Sequence, residues 1–142
     1  EHSGDERYFL GDASDGRLLD RYLDALLLAQ RGDHAAALEA AGQVQADSGA
    51  DRQLAAALAQ GVRADVAMRT GDPARALAAL RDIRFETWHQ LAMSTPLYAL
   101  ARERWLMAEA LTALGRREEA AAWRARPGAT PSDLLFAATT SP

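Results

Sequence analysis

The side chains of this chain capable of chemistry are three histidines, twenty carboxylates and sixteen arginines; there is no cysteine. Without thiols, disulfides and thiolate-metal sites are excluded. His2, His34 and His89 are far apart, and none has a second His or a carboxylate at ligand spacing on one helical face. The reading is no metal and no cofactor, with His34 solvated at the start of a surface helix and His89 packed beside Trp88 in a loop. Paired carboxylates can do general acid–base work. Here Asp20 and Asp24 lie one helical turn apart, but Arg17 and Arg21 share that stretch, so a neutralised wet face is expected. Glu118 and Glu119 follow Arg116 and Arg117 in the same manner, and Asp65 with Arg69 is another one-turn pair. Serines and threonines sit at helix starts and in the tail, where capping accounts for them. Neither a glycine-rich phosphate loop nor a Gly-x-Ser-x-Gly elbow occurs. An enzyme is not expected.

The elements that must position these groups read as helices. Three turns recur: Gln30-Arg31-Gly32-Asp33, Arg69-Thr70-Gly71-Asp72 and Ala113-Leu114-Gly115-Arg116. Each Gly has an Ala seven residues before it (Ala25, Ala64, Ala108) and an Ala five residues after it (Ala37, Ala76, Ala120). The glycines are 39 and 44 residues apart. A unit of this size, helical on both sides of a glycine turn, predicts an all-α solenoid of about three antiparallel helical hairpins with six main helices.

Apolar spacing assigns the helices. The first runs over 17–31, with Leu19, Tyr22, Leu23, Leu26 and Leu27 as its apolar positions and Ser14 or Asp15 as its cap. The second covers 33–47, with Ala37, Leu38, Ala41 and Val44 on one face, and Asp47-Ser48-Gly49 stops it. The third covers 51–70, carrying Leu54, Leu58, Val62, Ala64 and Met68; Gly61 inside it predicts close approach of a neighbouring helix. The fourth starts at Pro73, capped by Asp72, and buries Leu77, Leu80 and Ile83. Residues 84–95 read as a loop. The fifth helix is expected over 96–114, from Thr95-Pro96 through Leu97, Leu100, Ala101, Trp105, Ala108, Leu111 and Leu114. The sixth covers 116–126. This gives an N-terminal arm at 1–16, a repeat domain at 17–126 and a C-terminal tail at 127–142.

Composition narrows the partners. The chain is 49% hydrophobic and 25% charged, enough for one real core in 142 residues. Every basic residue is arginine, as a GC-rich genome produces, and arginine suits interfaces through stacking and bidentate pairing. The net charge is −4 and the arginines alternate with acids, which argues against duplex nucleic acid. No apolar run approaches the ~20 residues of a membrane span. The start, Glu1-His2-Ser3, reads as that of a processed or trimmed chain, compatible with export and equally with a cytoplasmic fragment.

Around Gly32, Gly71 and Gly115 the chain resembles the tetratricopeptide repeat family. That family places a small residue in the first helix, a glycine in the turn and an Ala opening the second helix. Ala25/Gly32/Ala37, Ala64/Gly71/Ala76 and Ala108/Gly115/Ala120 carry the pattern, and the stretch from Arg104 to Gly115 matches it best. The units exceed the family's usual 34 residues. Where the family often has an aromatic nine residues after the Gly, this chain has Ala41, Leu80 and Arg124; where it often has Ala twelve after, this chain has Val44, Ile83 and Pro127.

The resemblance implies a concave groove lined by the first helix of each hairpin. By register it would present Tyr22, Leu26 and Gln30, then Asp65 and Arg69, then Arg102, Trp105, Glu109 and Ala113. That mixture suits a peptide or protein; Tyr22 and Trp105 as plain core residues is the competing reading. The expected function is a non-enzymatic protein–protein interaction scaffold. The alternative is a subunit that polymerises with other copies of itself. The arms Tyr8-Phe9-Leu10 and Leu134-Leu135-Phe136 would then dock on a neighbour, or fold back to cap their own chain.

Overall fold

The computed structural model describes residues 13–46, 52–83 and 100–125. Among them lie six α-helices and no strand: α1 (Ala13–Gln30), α2 (His34–Gln45), α3 (Arg52–Arg69), α4 (Pro73–Arg81), α5 (Ala101–Ala113) and α6 (Arg117–Arg124). The fold class is all-α. Of the expected arms, residues 1–12 and 127–142 lie outside the described residues, as do the stop at residues 47–49, the loop at 84–95 with His89 and the restart at Thr95-Pro96, whereas residues 13–16 belong to α1.

The three glycine turns share one geometry. Gly32, Gly71 and Gly115 have φ of 86°, 78° and 77°, the left-handed conformation that glycine adopts without a Cβ penalty. Each donates its N–H to the carbonyl three residues back: Ala29 at 3.1 Å, Met68 at 3.2 Å and Thr112 at 3.0 Å. The next residue donates to the carbonyl five back: Asp33 to Leu28 at 3.0 Å, Asp72 to Ala67 and Arg116 to Leu111, both at 2.8 Å. This bond pair closes the last helical turn and satisfies carbonyls that would otherwise end unpaired.

That next residue also starts the following helix. The Asp33 carboxylate accepts from the Ala36 N–H at 3.3 Å, and Asp72 accepts from the Arg75 N–H at 3.0 Å, with Pro73 at the first helical position. Arg116 has no acceptor to offer. Its guanidinium instead holds Glu119 through bonds of 2.8 and 2.7 Å, and α6 has no side-chain cap. Chain reversal in about three residues forces antiparallel pairing, so α1 lies on α2, α3 on α4 and α5 on α6. The hairpins also pack on one another, α3 against both α1 and α2 and α5 against both α3 and α4.

The recurring alanines are all buried: Ala25, Ala37, Ala64, Ala76 and Ala120 at 0% exposure and Ala108 at 1%. Their methyl groups let the paired helices approach closely and hold helical conformation at no side-chain entropy cost. This close approach shifts the core faces. In α1 the buried stripe is Leu18, Tyr22, Ala25 and Ala29, whereas the expected core residues Leu23 and Leu27 are 37% and 47% exposed. Leu38 of α2 and Leu114 beyond α5 also sit on the surface, at 40% and 39%.

Two helix starts differ from the sequence reading. α1 already begins at Ala13, so Ser14 and Asp15 lie in its first turn rather than capping it. α5 begins at Ala101, because Leu100 has φ 56° and ψ 31° and cannot continue a right-handed helix. A left-handed non-glycine residue costs roughly 1–2 kcal/mol. Here the Leu100 side chain is fully buried and its carbonyl accepts the Arg104 N–H at 3.0 Å, contacts that hold it in place.

Candidate functional site

The first helices of the three hairpins meet side chain to side chain. Tyr22 of α1 falls one turn beyond Leu18 on the buried stripe, so its ring points into the stack and is fully covered. Its hydroxyl donates to Oε1 of Glu103 on α5 at 2.5 Å. Between these helices lies α3, which presents Gly61 at the crossing. A Cβ at that position would stand 2.9 Å from Glu103 Cγ and 3.0 Å from its Cδ, and closer still to the carboxyl oxygen. Glycine is what lets the glutamate side chain lie across α3, as its place inside a helix suggested.

Glu103 is fully buried. Its second oxygen, Oε2, has no hydrogen-bond partner. Burial disfavours the charged form and lifts its pKa above the ordinary value of 4.5; the Tyr22 hydrogen bond opposes that rise and is outweighed. Burial and the neighbouring Glu103 push the Tyr22 phenol well above its ordinary 10.0, so it remains a donor.

One turn further along α3, the Asp65 carboxylate is also buried, and it holds two guanidinium groups. Arg102 Nη2 of α5 donates to Oδ1 at 2.6 Å, and Arg69 Nε donates to Oδ2 at 3.0 Å. Arg102 is nearly enclosed, at 14% side-chain exposure, and its Nε is buried without a partner; Arg69 reaches the surface at 37%. Asp65 therefore ties α3 to α5 with charge-assisted bonds that water screens poorly. The two arginines outnumber the one carboxylate, which leaves a basic rim beside the buried junction.

The residues of the expected groove separate into these environments. Tyr22 and Asp65 are buried, Arg102 half-buried and Arg69 exposed; the last three form one network next to the Tyr22–Glu103 bond. Leu26 and Trp105 are half-buried and pack against the core. Gln30 and Ala113 are exposed. Glu109 turns toward α6, where Arg124 donates to it at 3.1 Å and to Thr112 at 3.2 Å. The arm residues Tyr8, Phe9, Leu10, Leu134, Leu135 and Phe136 lie outside the described residues.

Glu103 is the residue that sequence reasoning missed. Its signal was a carboxylate in core register, with Leu100 three residues before it and Leu106 and Met107 three and four after, all buried. The acidic pairs first considered for chemistry, Asp20/Asp24 and Glu118/Glu119, are on the surface. His34 is half-buried rather than solvated, and its Nδ1 is buried without a partner. Among the described residues no group of three His, Asp or Glu could hold a metal ion, and no helix is long and apolar enough to cross a membrane.

Fold and site together define an all-α protein of glycine-turned helical hairpins whose first helices share a buried polar junction. No family model, no curated protein and no solved structure matches the chain.

Proposed function

We propose that this chain is a non-enzymatic interaction scaffold of tetratricopeptide-like repeats, with the side formed by α1, α3 and α5 as its binding face for a peptide or protein. The observation that carries this reading is the convergence of those three helices on one network, Asp65 with Arg69 and Arg102 beside Tyr22 and Glu103. Equivalent turns at Gly32, Gly71 and Gly115 support the repeat, since they give each hairpin the same reversal and pairing. Around the enclosed junction the surface offers apolar Leu26, polar Gln30 and cationic Arg69, a mixture suited to a polypeptide. Affinity capture with a Gln30→Ala, Arg69→Ala double variant tests it. Both positions are exposed, so the variant should stay folded, at a cost of no more than about 1 kcal/mol from the lost Arg69 ion pair, and lose the partner; retained capture would contradict the assignment.

A second reading, self-assembly into a homopolymer, rests on Leu23 and Leu27. They lie one turn apart on the exposed side of α1, the first helix of the array. Light scattering across micromolar to millimolar concentration tests it. A strictly monomeric chain removes this reading and leaves the adaptor.

A further inference from the structure

We propose that the Tyr22–Glu103 contact over Gly61 is a proton-operated latch, which holds α1 against α5 while Glu103 carries its proton and loosens when that proton is lost. The inference stands on the junction alone and does not depend on which partner the binding face takes.

The geometry supplies the latch. Glu103 joins two helices from opposite sides of α3, and it fits because Gly61 leaves room for its carboxyl group. A full negative charge there is only partly compensated. Tyr22 from α1 provides one hydrogen bond to Oε1, and Oε2 has none. From α3 the facing charge is Asp65, which repels, with Arg69 bound to it. On α5 itself the neighbouring cation is Arg102, which attracts, but its Nη2 is engaged by Asp65. No charged group of α4 or α6 acts on Glu103 among the described residues. Burial outweighs the Tyr22 bond, the backbone hydrogen bond and the attraction of Arg102, so the carboxylate is costlier there than the neutral acid. The relief open to the ionised form is water, and water reaches Oε2 when α1 and α5 part. Burial raises the proton affinity of this group, which places the change above the ordinary carboxyl value. Opening would uncover Tyr22 and widen the space between the first and third hairpins.

The chain has no cysteine, so Gln30→Cys and Ala113→Cys, both exposed, give one unique spin-label pair across α1 and α5 in the full chain. Pulsed-dipolar distance distributions should gain a longer-distance population as pH rises above the ordinary carboxyl value. With Glu103→Gln added, that population should be absent at every pH. With Tyr22→Phe added, the contact is lost in either protonation state, so the longer-distance population should already be present at low pH. A distribution that does not change with pH overturns the latch, as does an identical pH response with Glu103→Gln. Should the glutamine variant fail to fold, Tyr22→Phe decides: a low-pH distribution unchanged from that of the parent overturns it.

Discussion

Tyr22 and Glu103 are separated by 81 residues and share a fully buried hydrogen bond of 2.5 Å. A bond of this reach makes the first hairpin report on the third. In a stack where each unit touches only its neighbours, such coupling would be absent. Its chemistry also sets how the fold responds to pH. The folded state binds the Glu103 proton more tightly than the unfolded chain does, so its pKa is raised on folding. That contribution to stability is complete below the unfolded value and is lost as pH rises through the folded one. Urea midpoints should therefore fall from mildly acid toward neutral pH, and Glu103→Gln should flatten the decline. Tyr22, also raised, adds a second loss above about pH 10. A midpoint that climbs between pH 5 and 8 would contradict the assignment.

Gly61→Ala should destabilise the protein although alanine is the better helix former. The gain in propensity is about 1 kcal/mol, against roughly 1–3 kcal/mol for forcing an atom into a filled site. The Cβ would collide with the Glu103 side chain, which is held by Tyr22. Combining Gly61→Ala with Glu103→Ala should therefore cost less than the sum of the two single changes. Additive costs in a denaturation cycle would show that the two residues do not share space.

Asp65 and its two arginines should behave unequally. Asp65→Ala leaves Arg102 almost enclosed without its carboxylate, at a cost of about 3–5 kcal/mol. Arg69→Ala removes a partly exposed partner and should cost no more than about 1 kcal/mol. Equal losses in thermal or urea unfolding would contradict this division.

The turns offer a third comparison. Gly71→Ala must place a Cβ at φ 78° and should cost roughly 1–2 kcal/mol. Asp72→Ala removes the acceptor for the Arg75 N–H and should cost about 1 kcal/mol. Arg116→Ala at the equivalent position, which supplies no cap, should cost less than Asp72→Ala. The reverse order would mean that the turns are not equivalent.

The helices and turns were legible because their signals are local. Gly32, Gly71 and Gly115 mark positions that need a left-handed backbone, and Asp33 and Asp72 mark helix starts, so most helix ends fall within a residue or two of expectation. Gly61 foretold a close neighbour but could not name it. Faces were less legible. Leu23, Leu27 and Leu38 look like core residues by hydrophobicity, yet Ala25, Ala29, Ala37 and Ala41 take the interior because small side chains allow closer helix contact. Glu103 was overlooked as a site residue, since a glutamate in a helix is ordinarily a surface residue. Its core register between Leu100 and Leu106 was a local signal of burial, but its pairing with Tyr22 across α3 is a long-range relationship that no local pattern encodes.

The binding-face proposal is tested most directly by photo-crosslinking at defined helix positions. A benzophenone group would be placed singly at Gln30 of α1 or Arg69 of α3, and at Ala35 of α2 or Ala78 of α4. All four positions are exposed, so labelling should leave the fold intact. With native extract as the source of partners, crosslinks to another protein should form from Gln30 and Arg69 and be absent from Ala35 and Ala78. Crosslinks confined to the α2 and α4 positions, or equal from all four, would contradict the account.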